Sequence, residues 1–375
     1  MIVLKTLLYM VSGFSFRNKN IFIFGAWFGK RYSDNSKFLA DQIINSKKFQ
    51  NKKIIWIGNE STWPLDGVNS IKFVKRNSIK SIWYQLRAGY AFVSHGYQDL
   101  GTVSLLKGAI VYQLWHGFPI KCIGADDPGN PNEGSLKYEN YQFFLANSPV
   151  MAKRVKSAFK NYGANSENIL IAKQPREDYL ILNKDNVNLK KEIRRKLGIK
   201  NDQIVITYLP TFRDNSEKTF SFVKDSKREV YEYLEEKNAI ILERQHFVRD
   251  MHSNTKGSSN GNRFVDLNEG IEVQDVLLIT DYLITDYSSV YVDFIHLGKP
   301  IIHFLYDGDD YQKNDRGLYS NDPRKEFAGP IAYSQKELIP LLELSKDEFG
   351  KKRCDAVKNL CLNTSTSLID LIENK

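Results

Sequence analysis

The chain has 375 residues, of which 42% are apolar and 26% charged; this excludes a disordered or fibrous protein and leaves room for two domains with buried cores. With 53 Lys and Arg against 44 Asp and Glu, the formal charge is +9, an excess that favours an anionic partner but does not choose among nucleic acid, a phosphorylated substrate and an acidic membrane surface. The three cysteines form no C-x-x-C pair, which argues against a zinc site or disulfide framework and fits a reducing cytoplasm.

The opening stretch, Met1 to Phe14, is apolar but too short to span a bilayer. It has no charged leader region and no small-residue cleavage site, so a secretory signal is the weaker reading. Two expectations remain for it: a helix packed in the core of the first domain, or an interfacial helix lying against lipid.

Short β-rich runs then alternate with helical patterns, the pattern of an α/β fold with parallel sheets. In the first half, strands are predicted at Ile21–Phe24, Ile54–Ile57, Ile71–Val74, Ala91–Ser94, Ala109–Leu114 and Phe143–Ala146, and helices at Ser36–Ser46, Ile79–Gly89 and Pro149–Tyr162. Residues 183–203, rich in Asn, Asp and Lys with a helical patch at Leu189–Leu197, read as a hinge, giving domains 1–185 and 186–375. The second set has strands at Ile204–Leu209, Ala239–Leu242, Leu283–Thr285 and Pro300–Leu305, with helices at Val223–Lys237 and Ile271–Thr280. Residues 253–262 form a polar loop able to move. From Lys336 the tail is helical, with Leu360, Leu362, Leu368 and Leu371 expected to face inward, and Cys354 and Cys361 expected to be buried thiols.

Two doubly wound halves with a cleft between them would collect ligands at the carboxyl ends of the strands, and the reactive residues follow strands. His116, in Trp115-His116-Gly117-Phe118-Pro119-Ile120-Lys121, is held in a tight turn and is a candidate general base; a packed core histidine is the plainer reading. His95-Gly96 has the same local form and competes with it. Pro210, Thr211 and Arg213 follow one strand, and Arg244 and His246 another. Arg176 sits in the turn after Gln174, and Arg316 in the loop after Pro300–Leu305. Tyr282–Thr285 ends at Asp286, where Ser288 or Ser289 can cap the next helix; its free N–H groups suit a phosphate, although on spacing alone an ordinary capped helix is the plainer reading. Around one cleft, these cations, a helix start and an imidazole suit a nucleotide diphosphate and transfer of a group from it. No G-x-x-x-x-G-K-[ST] or strand-linked G-x-G-x-x-G occurs, which disfavours a P-loop enzyme and a dinucleotide dehydrogenase.

Trp115-His116-Gly117-x-Pro119-x-Lys121, Pro175-Arg176-x-Asp178, Pro210-Thr211-Phe212-Arg213-Asp214 and Leu283-Ile284-Thr285-Asp286-Tyr287-Ser288-Ser289 together resemble the CDP-glycerol glycerophosphotransferase family of teichoic acid synthesis. Phe28-Gly29-Lys30-Arg31-Tyr32-Ser33-Asp34-Asn35 and Lys299-Pro300-Ile301-Ile302 extend the resemblance in the same order, from about residue 20 to residue 320. It implies a GT-B-type fold, two Rossmann-like domains facing each other across a cleft, with CDP held mainly by the second. By similarity His116 is the base, and His246 contacts or protonates phosphate. Pro210, Thr211, Arg213, Ser288, Ser289 and Arg316 hold the nucleotide and pyrophosphate, with Lys121, Arg176, Arg244, Asp286 and Asp293 completing the substrate site. The sequence departs from the family at Phe118, where Thr is usual, and at Arg244-Gln245-His246-Phe247, where His-Pro preceded by Lys is usual.

The resemblance implies transfer of glycerol phosphate from CDP-glycerol to a hydroxyl of a lipid-linked saccharide or glycerophosphate acceptor, with release of CMP, by an enzyme resting on the anionic cytoplasmic face of the cell membrane. The length accommodates the catalytic module without a large added domain, which favours a priming or short-chain transferase. No protein-held metal is expected, although Asp286 and Asp293 could bind a divalent cation such as Mg2+. The alternatives are a ribitol-phosphate or capsule-polymer transferase, a GT-B glycosyltransferase using a nucleotide sugar, or a basic nucleic-acid-binding protein. Cations spaced at separate strand ends fit the last poorly, so nucleic acid is not expected as a partner.

Overall fold

The structure, a computed structural model, describes residues 2–64, 68, 70–130, 141–211, 220–244, 263–267, 271–308, 317–344 and 346–373. Two compact units emerge: residues 1–116, 123–178 and 363–375 form the first, and residues 117–122 and 179–362 the second.

The first unit is built on a parallel sheet of β1 (Asn18–Gly25), β2 (Lys53–Gly58), β3 (Ile71–Lys75), β4 (Ala88–Val93), β5 (Ile110–Gln113), β6 (Phe143–Ala146) and β7 (Ile169–Ile171). The spatial order is β3-β2-β1-β4-β5-β6-β7, the doubly wound arrangement in which helices cover both faces. That explains why β1, β2 and β4 are near-continuous apolar runs rather than alternating ones. Helices α1 (Ile2–Ser12), α2 (Asp34–Asn45), α3 (Ile79–Arg87) and α4 (Pro149–Ala158) come from the same part of the chain. α4 starts where its sequence says it should: Pro149 occupies the first turn, and the Ser148 hydroxyl accepts the Met151 N–H at 3.1 Å. The core carries an aromatic row, Phe24 on Phe92 at 4.6 Å and Phe92 on Tyr112 at 5.0 Å.

α5 (Pro175–Asn183) carries the chain out of the first unit. In the second unit, α6 (Val187–Lys196), α7 (Phe222–Asp225), α8 (Arg228–Glu236), α9 (Val273–Ile279), α10 (Val290–Ile295), α11 (Gln335–Leu342) and α12 (Lys346–Leu360) accompany a second parallel sheet. Its strands are β8 (Ile204–Leu209), β9 (Ala239–Glu243), β10 (Phe264–Asp266), β11 (Tyr282–Thr285), β12 (Ile301–Phe304) and β13 (Ile331–Ala332), in the order β10-β9-β8-β11-β12-β13. Buried Tyr208, Phe222, Ile284 and Phe304 form its centre.

Several expectations change. The crossing expected at 185/186 lies at 178/179, and the C-terminal helix α13 (Leu368–Glu373) belongs to the first unit, not the second. Leu368 and Ile372 share a buried cluster with Leu39, Ala40 and Ile43 of α2, and the Lys173 N–H donates to Thr366 O at 2.8 Å. The polar 183–203 stretch is mostly α6, capped by the Asn186 side chain at 3.1 Å from Leu189 N; its composition marks an exposed helix rather than a linker. The run Val223–Lys237 divides into α7 and α8, where the Lys227 N–H turns to Gln335 at 2.8 Å. Cys354 and Cys361 are exposed, because α12 turns Phe349, Ala356 and Leu360 inward instead. The polar loop 253–262 lies outside the described residues.

The opening segment is helical, but it is not a core helix. Val3, Leu4, Leu7, Met10 and Val11 are exposed, and Phe14 and Phe16 beyond it are 92% and 74% exposed. Of the described side chains of α1, only Ser12 is buried. Among the described residues, no helix is long and apolar enough to cross a membrane.

Candidate active site

In the first sheet the chain order reverses between β1 and β4, and at such a switch point the loops diverge and leave a crevice at the strand ends. The residues that leave β1, β4 and β5 meet here. Trp27 follows β1, His95 follows β4, and Trp115-His116 follow β5. The His95 and His116 rings stack flat, centroids 4.1 Å apart and planes 7° apart. Trp115 lies 4.0 Å from the His116 ring, and Trp27 lies 4.5 Å from His95 and 5.7 Å from His116.

The backbone here is constrained. Trp115 adopts φ 55° and Gly117 φ 146°; Trp27, Phe28 and Asp34 are also left-handed, at 49°, 57° and 67°. Bulky residues hold such angles only where their surroundings over-determine them. Buried Asn35 supplies much of that constraint: its Nδ2 donates to Trp115 O at 2.9 Å and to Gln174 Oε1 at 2.9 Å. Arg176 adds the next peg, its Nη1 donating to His116 O at 2.8 Å and standing 3.4 Å from Asp34. Asp34 also accepts from Trp27 Nε1 at 3.2 Å and from the Asn35 N–H at 2.8 Å. On the other side, buried Asp99 accepts from the backbone N–H of Phe28, Ser94 and His95, at 2.7, 2.8 and 2.8 Å.

His116 Nδ1 lies 3.4 Å from Ser94 O. A carbonyl can only accept, so Nδ1 carries the proton and Nε2 keeps its lone pair. Burial first, then the neighbouring His95, pushes the His116 pKa down to about 3, and burial does the same to His95. The imidazole is therefore neutral at physiological pH and able to receive a proton. Asp99 is pushed up to about 6 by burial, against the pull of its three backbone donors.

In the second sheet the order reverses between β8 and β11. Pro210 and Thr211 follow β8, and Asp286, Ser288 and Ser289 follow β11. The Thr211 N–H and hydroxyl both donate to Asp286 Oδ1, at 2.8 and 2.5 Å, and the Ser288 N–H reaches the same oxygen at 3.2 Å. Buried His303 locks the turn from behind: its Nδ1 donates to Asp286 O at 2.9 Å, while Nε2 accepts the Ala328 N–H at 3.3 Å. Ser289 is the N-cap residue of α10 but makes no capping bond with its side chain, whereas the Ser288 hydroxyl accepts the Val290 N–H in a long bond of 3.5 Å. Lys121 pairs antiparallel with Leu318 in this unit.

Four residues expected to touch substrate also make contacts within the protein. Asp286 ties β8 to β11, and buried Asp293 lies 3.4 Å from Gln274 of α9. The buried Arg244 guanidinium donates to Ile271 O, and Arg176 anchors His116. The two carboxylates offered to a divalent cation, Asp286 and Asp293, are among these. Arg213, His246 and Arg316 lie outside the described residues. The sequence reading missed Asp34, Asn35, Asp99 and His303. Asp34 and Asn35 stand within the Phe28–Asn35 motif, where Ser33-Asp34-Asn35 has the composition of a helix start; Asp99 and His303 left no local signal.

The model of the CDP-Glycerol:Poly(glycerophosphate) glycerophosphotransferase family matches residues 7–365. A teichoic acid poly(glycerol phosphate) polymerase of Bacillus spizizenii is 27% identical over 358 residues, 91% of this chain and 88% of that protein. A teichoic acid glycerol-phosphate transferase of Staphylococcus aureus is 28% identical over 339 residues, 87% of this chain and 84% of its own length. The solved wall teichoic acid polymerase TagF superposes with a TM-score of 0.79 at 25% identity, covering 100% of this chain and 93% of the TagF chain. Teichoic acid ribitol-phosphate polymerases also match.

Proposed function

The chain belongs to the CDP-glycerol:poly(glycerophosphate) glycerophosphotransferase family, and on that premise we propose that it transfers glycerol phosphate from CDP-glycerol to an acceptor hydroxyl in teichoic acid or related cell-surface polymer synthesis, releasing CMP. The observation that carries the mechanism is His116, a neutral imidazole with a free Nε2 at the switch point of the first sheet. The acceptor oxygen attacks the phosphorus that bears glycerol, and its proton passes to Nε2. The bond from that phosphorus to the bridging oxygen breaks, and CMP departs with the electron pair. A base of low pKa is weak, but a loose phosphoryl transition state needs the proton removed late, so position matters more than basicity.

Donor binding is assigned to the second unit. Pro210, Thr211, Ser288 and Ser289 follow β8 and β11 and are assigned to the nucleotide and diphosphate by family resemblance. Arg213 and Arg316 are assigned to its charge, His246 to the departing phosphate and Lys121 to the same site, all by family resemblance. Arg176, Asp286, Asp293 and Arg244 brace these groups and are assigned to the same substrate site.

The acceptor is assigned as a lipid-linked saccharide or glycerophosphate, met at the cytoplasmic face of the cell membrane. Support comes from the first unit's surface: the exposed apolar side of α1 continues through Phe14 and Phe16, with Arg87 over the Phe16 ring at 5.2 Å. Lys5 on α1 and Lys107, whose Nζ lies 3.0 Å from Met10 Sδ, add positive charge, suited to anionic headgroups.

Release of CMP should occur with CDP-glycerol and a lipid-like acceptor, and fall by orders of magnitude in His116→Ala. A preference for CDP-ribitol would favour the ribitol-phosphate alternative, for which the matching ribitol-phosphate polymerases speak. Turnover of UDP-sugars, or steeply salt-dependent DNA binding without CMP release, would overturn the proposal. Sedimentation with anionic vesicles should be lost in a Leu4→Ser, Leu7→Ser double variant; absence of binding by the unaltered protein would remove the membrane assignment alone.

A further inference from the structure

His95 is unused by the mechanism above, yet it is the ring most closely matched to the base. Its side chain is 9% exposed, its Nδ1 makes no hydrogen bond, and it stands 3.8 Å from Asp99 Oδ1. A histidine whose polar atoms are so poorly served is a costly choice where a phenyl ring would pack as well. What the histidine does have is geometry. Its backbone N–H is fixed by Asp99 at 2.8 Å, Trp27 and Phe28 flank its ring at 4.5 and 4.9 Å, and its face lies flat on His116. The preceding residue, Ser94, supplies the carbonyl that sets the His116 tautomer. One short segment thus controls both the plane and the protonated nitrogen of the base.

We propose that His95 is a positioning residue for His116: the stacked ring holds the imidazole in one plane with Nε2 turned to the acceptor, and its neutral face supports the charge His116 gains on taking the proton. A cation over an aromatic face is attracted to it, and Trp115 and Trp27 offer further faces at 4.0 and 5.7 Å. The charged and titratable groups facing the pair are Asp34, Asp99 and Arg176. Like charge on both rings is unfavourable at this separation, so the pair takes up one proton at a time.

The proposal rests on His116 being the base, and the test separates the two. His95→Phe keeps a flat ring, His95→Gln removes it, and His116→Ala is assayed beside them, with folding of each followed by near-ultraviolet circular dichroism. With the full chain, CDP-glycerol and acceptor, H95Q should lose about tenfold to a hundredfold in kcat, the scale of a displaced catalytic group, with KM for CDP-glycerol within about twofold of the unaltered protein. H95F should recover most of that loss. The His116 ring, followed by NMR without substrate, should titrate at higher pH in H95Q than in the unaltered chain, because water reaches it and its partner charge is gone. A folded H95Q with unchanged kcat and unchanged His116 titration would overturn the proposal, as would an H95F no better than H95Q. If H95Q does not fold, H95F decides: near-normal kcat with the His116 tautomer retained supports the stack, and a large loss sinks it. Normal turnover by H116A removes the base assignment, while the NMR readout still tests the stack.

Discussion

Thr211 gives both its backbone N–H and its hydroxyl to one oxygen of Asp286, at 2.8 and 2.5 Å, so a single carboxylate joins the ends of β8 and β11 at the switch point of the second sheet. Both residues are buried. Asp286→Ala leaves three donors unpaired, two from Thr211 and the Ser288 N–H, and should cost about 2–4 kcal/mol of stability, whereas Asp286→Asn keeps an acceptor and should cost about half as much. Urea unfolding of the two variants checks the order; equal losses would show that the bonds to Thr211 carry little.

Arg176 serves the first unit in the same way, holding the His116 carbonyl at 2.8 Å and facing Asp34 at 3.4 Å. Lysine keeps the charge but not the planar fork. Arg176→Lys should therefore fold, keep its KM for CDP-glycerol and lose about tenfold in kcat as the turn loosens. Steady-state kinetics of CMP release measure this, and a variant that loses donor affinity with kcat intact would place Arg176 in donor binding after all.

The pH profile follows from the low pKa of His116. The neutral ring is the active form, and it is lost only as pH falls through about 3. Between pH 5 and 8 kcat/KM should show no acid limb from this residue, and an inflection near 6.5 that vanishes in His116→Ala would contradict the buried setting.

His303 gives a stability counterpart. Burial pushes its pKa down to about 4 in the folded protein, whereas an unfolded chain protonates it near 6.5. Its contribution is present above pH 6.5 and lost as pH falls toward 4. The stability gap between the unaltered protein and His303→Asn should narrow by roughly 3 kcal/mol over that window. Denaturation at several pH values measures it; a gap independent of pH would mean that His303 takes up its proton as readily folded as unfolded.

Gly329 tests packing alone. A Cβ there would lie 1.7 Å from Ile301 O of β12, so Gly329→Ala should cost about 3 kcal/mol or more by forcing the segment before β13 away. An alanine variant with an unchanged melting temperature would show that the backbone yields more easily than this.

Most of the strands that could be read from sequence were those buried on both faces, with the half-exposed β3 an exception. Phe143–Ala146 appears with its expected bounds, and β1 and β2 differ only at their ends. β7, β10 and β13 have three, three and two residues, too few for any periodicity to register. The apolar run of α1 would read identically in a core or on a surface, because burial depends on what the rest of the chain brings to it. The site divides the same way. His116 was legible because Gly117 and Pro119 fix its turn locally, but Asn35, Arg176 and Asp99 reach it from distant segments whose contacts no local pattern encodes. Asp286 and Arg244 were legible as polar residues after strands, and only their partners reveal that they brace the fold.

The return of residues 363–375 to the first unit has a consequence for the order of assembly during synthesis. A sheet whose strands emerge before those of the second unit is completed by a helix that emerges after the whole of that unit. A chain halted at Leu362 would carry a finished second unit and a first unit with Leu39 and Ile43 uncovered. Nascent chains should accordingly need shielding of that apolar strip until residues 363–375 have emerged.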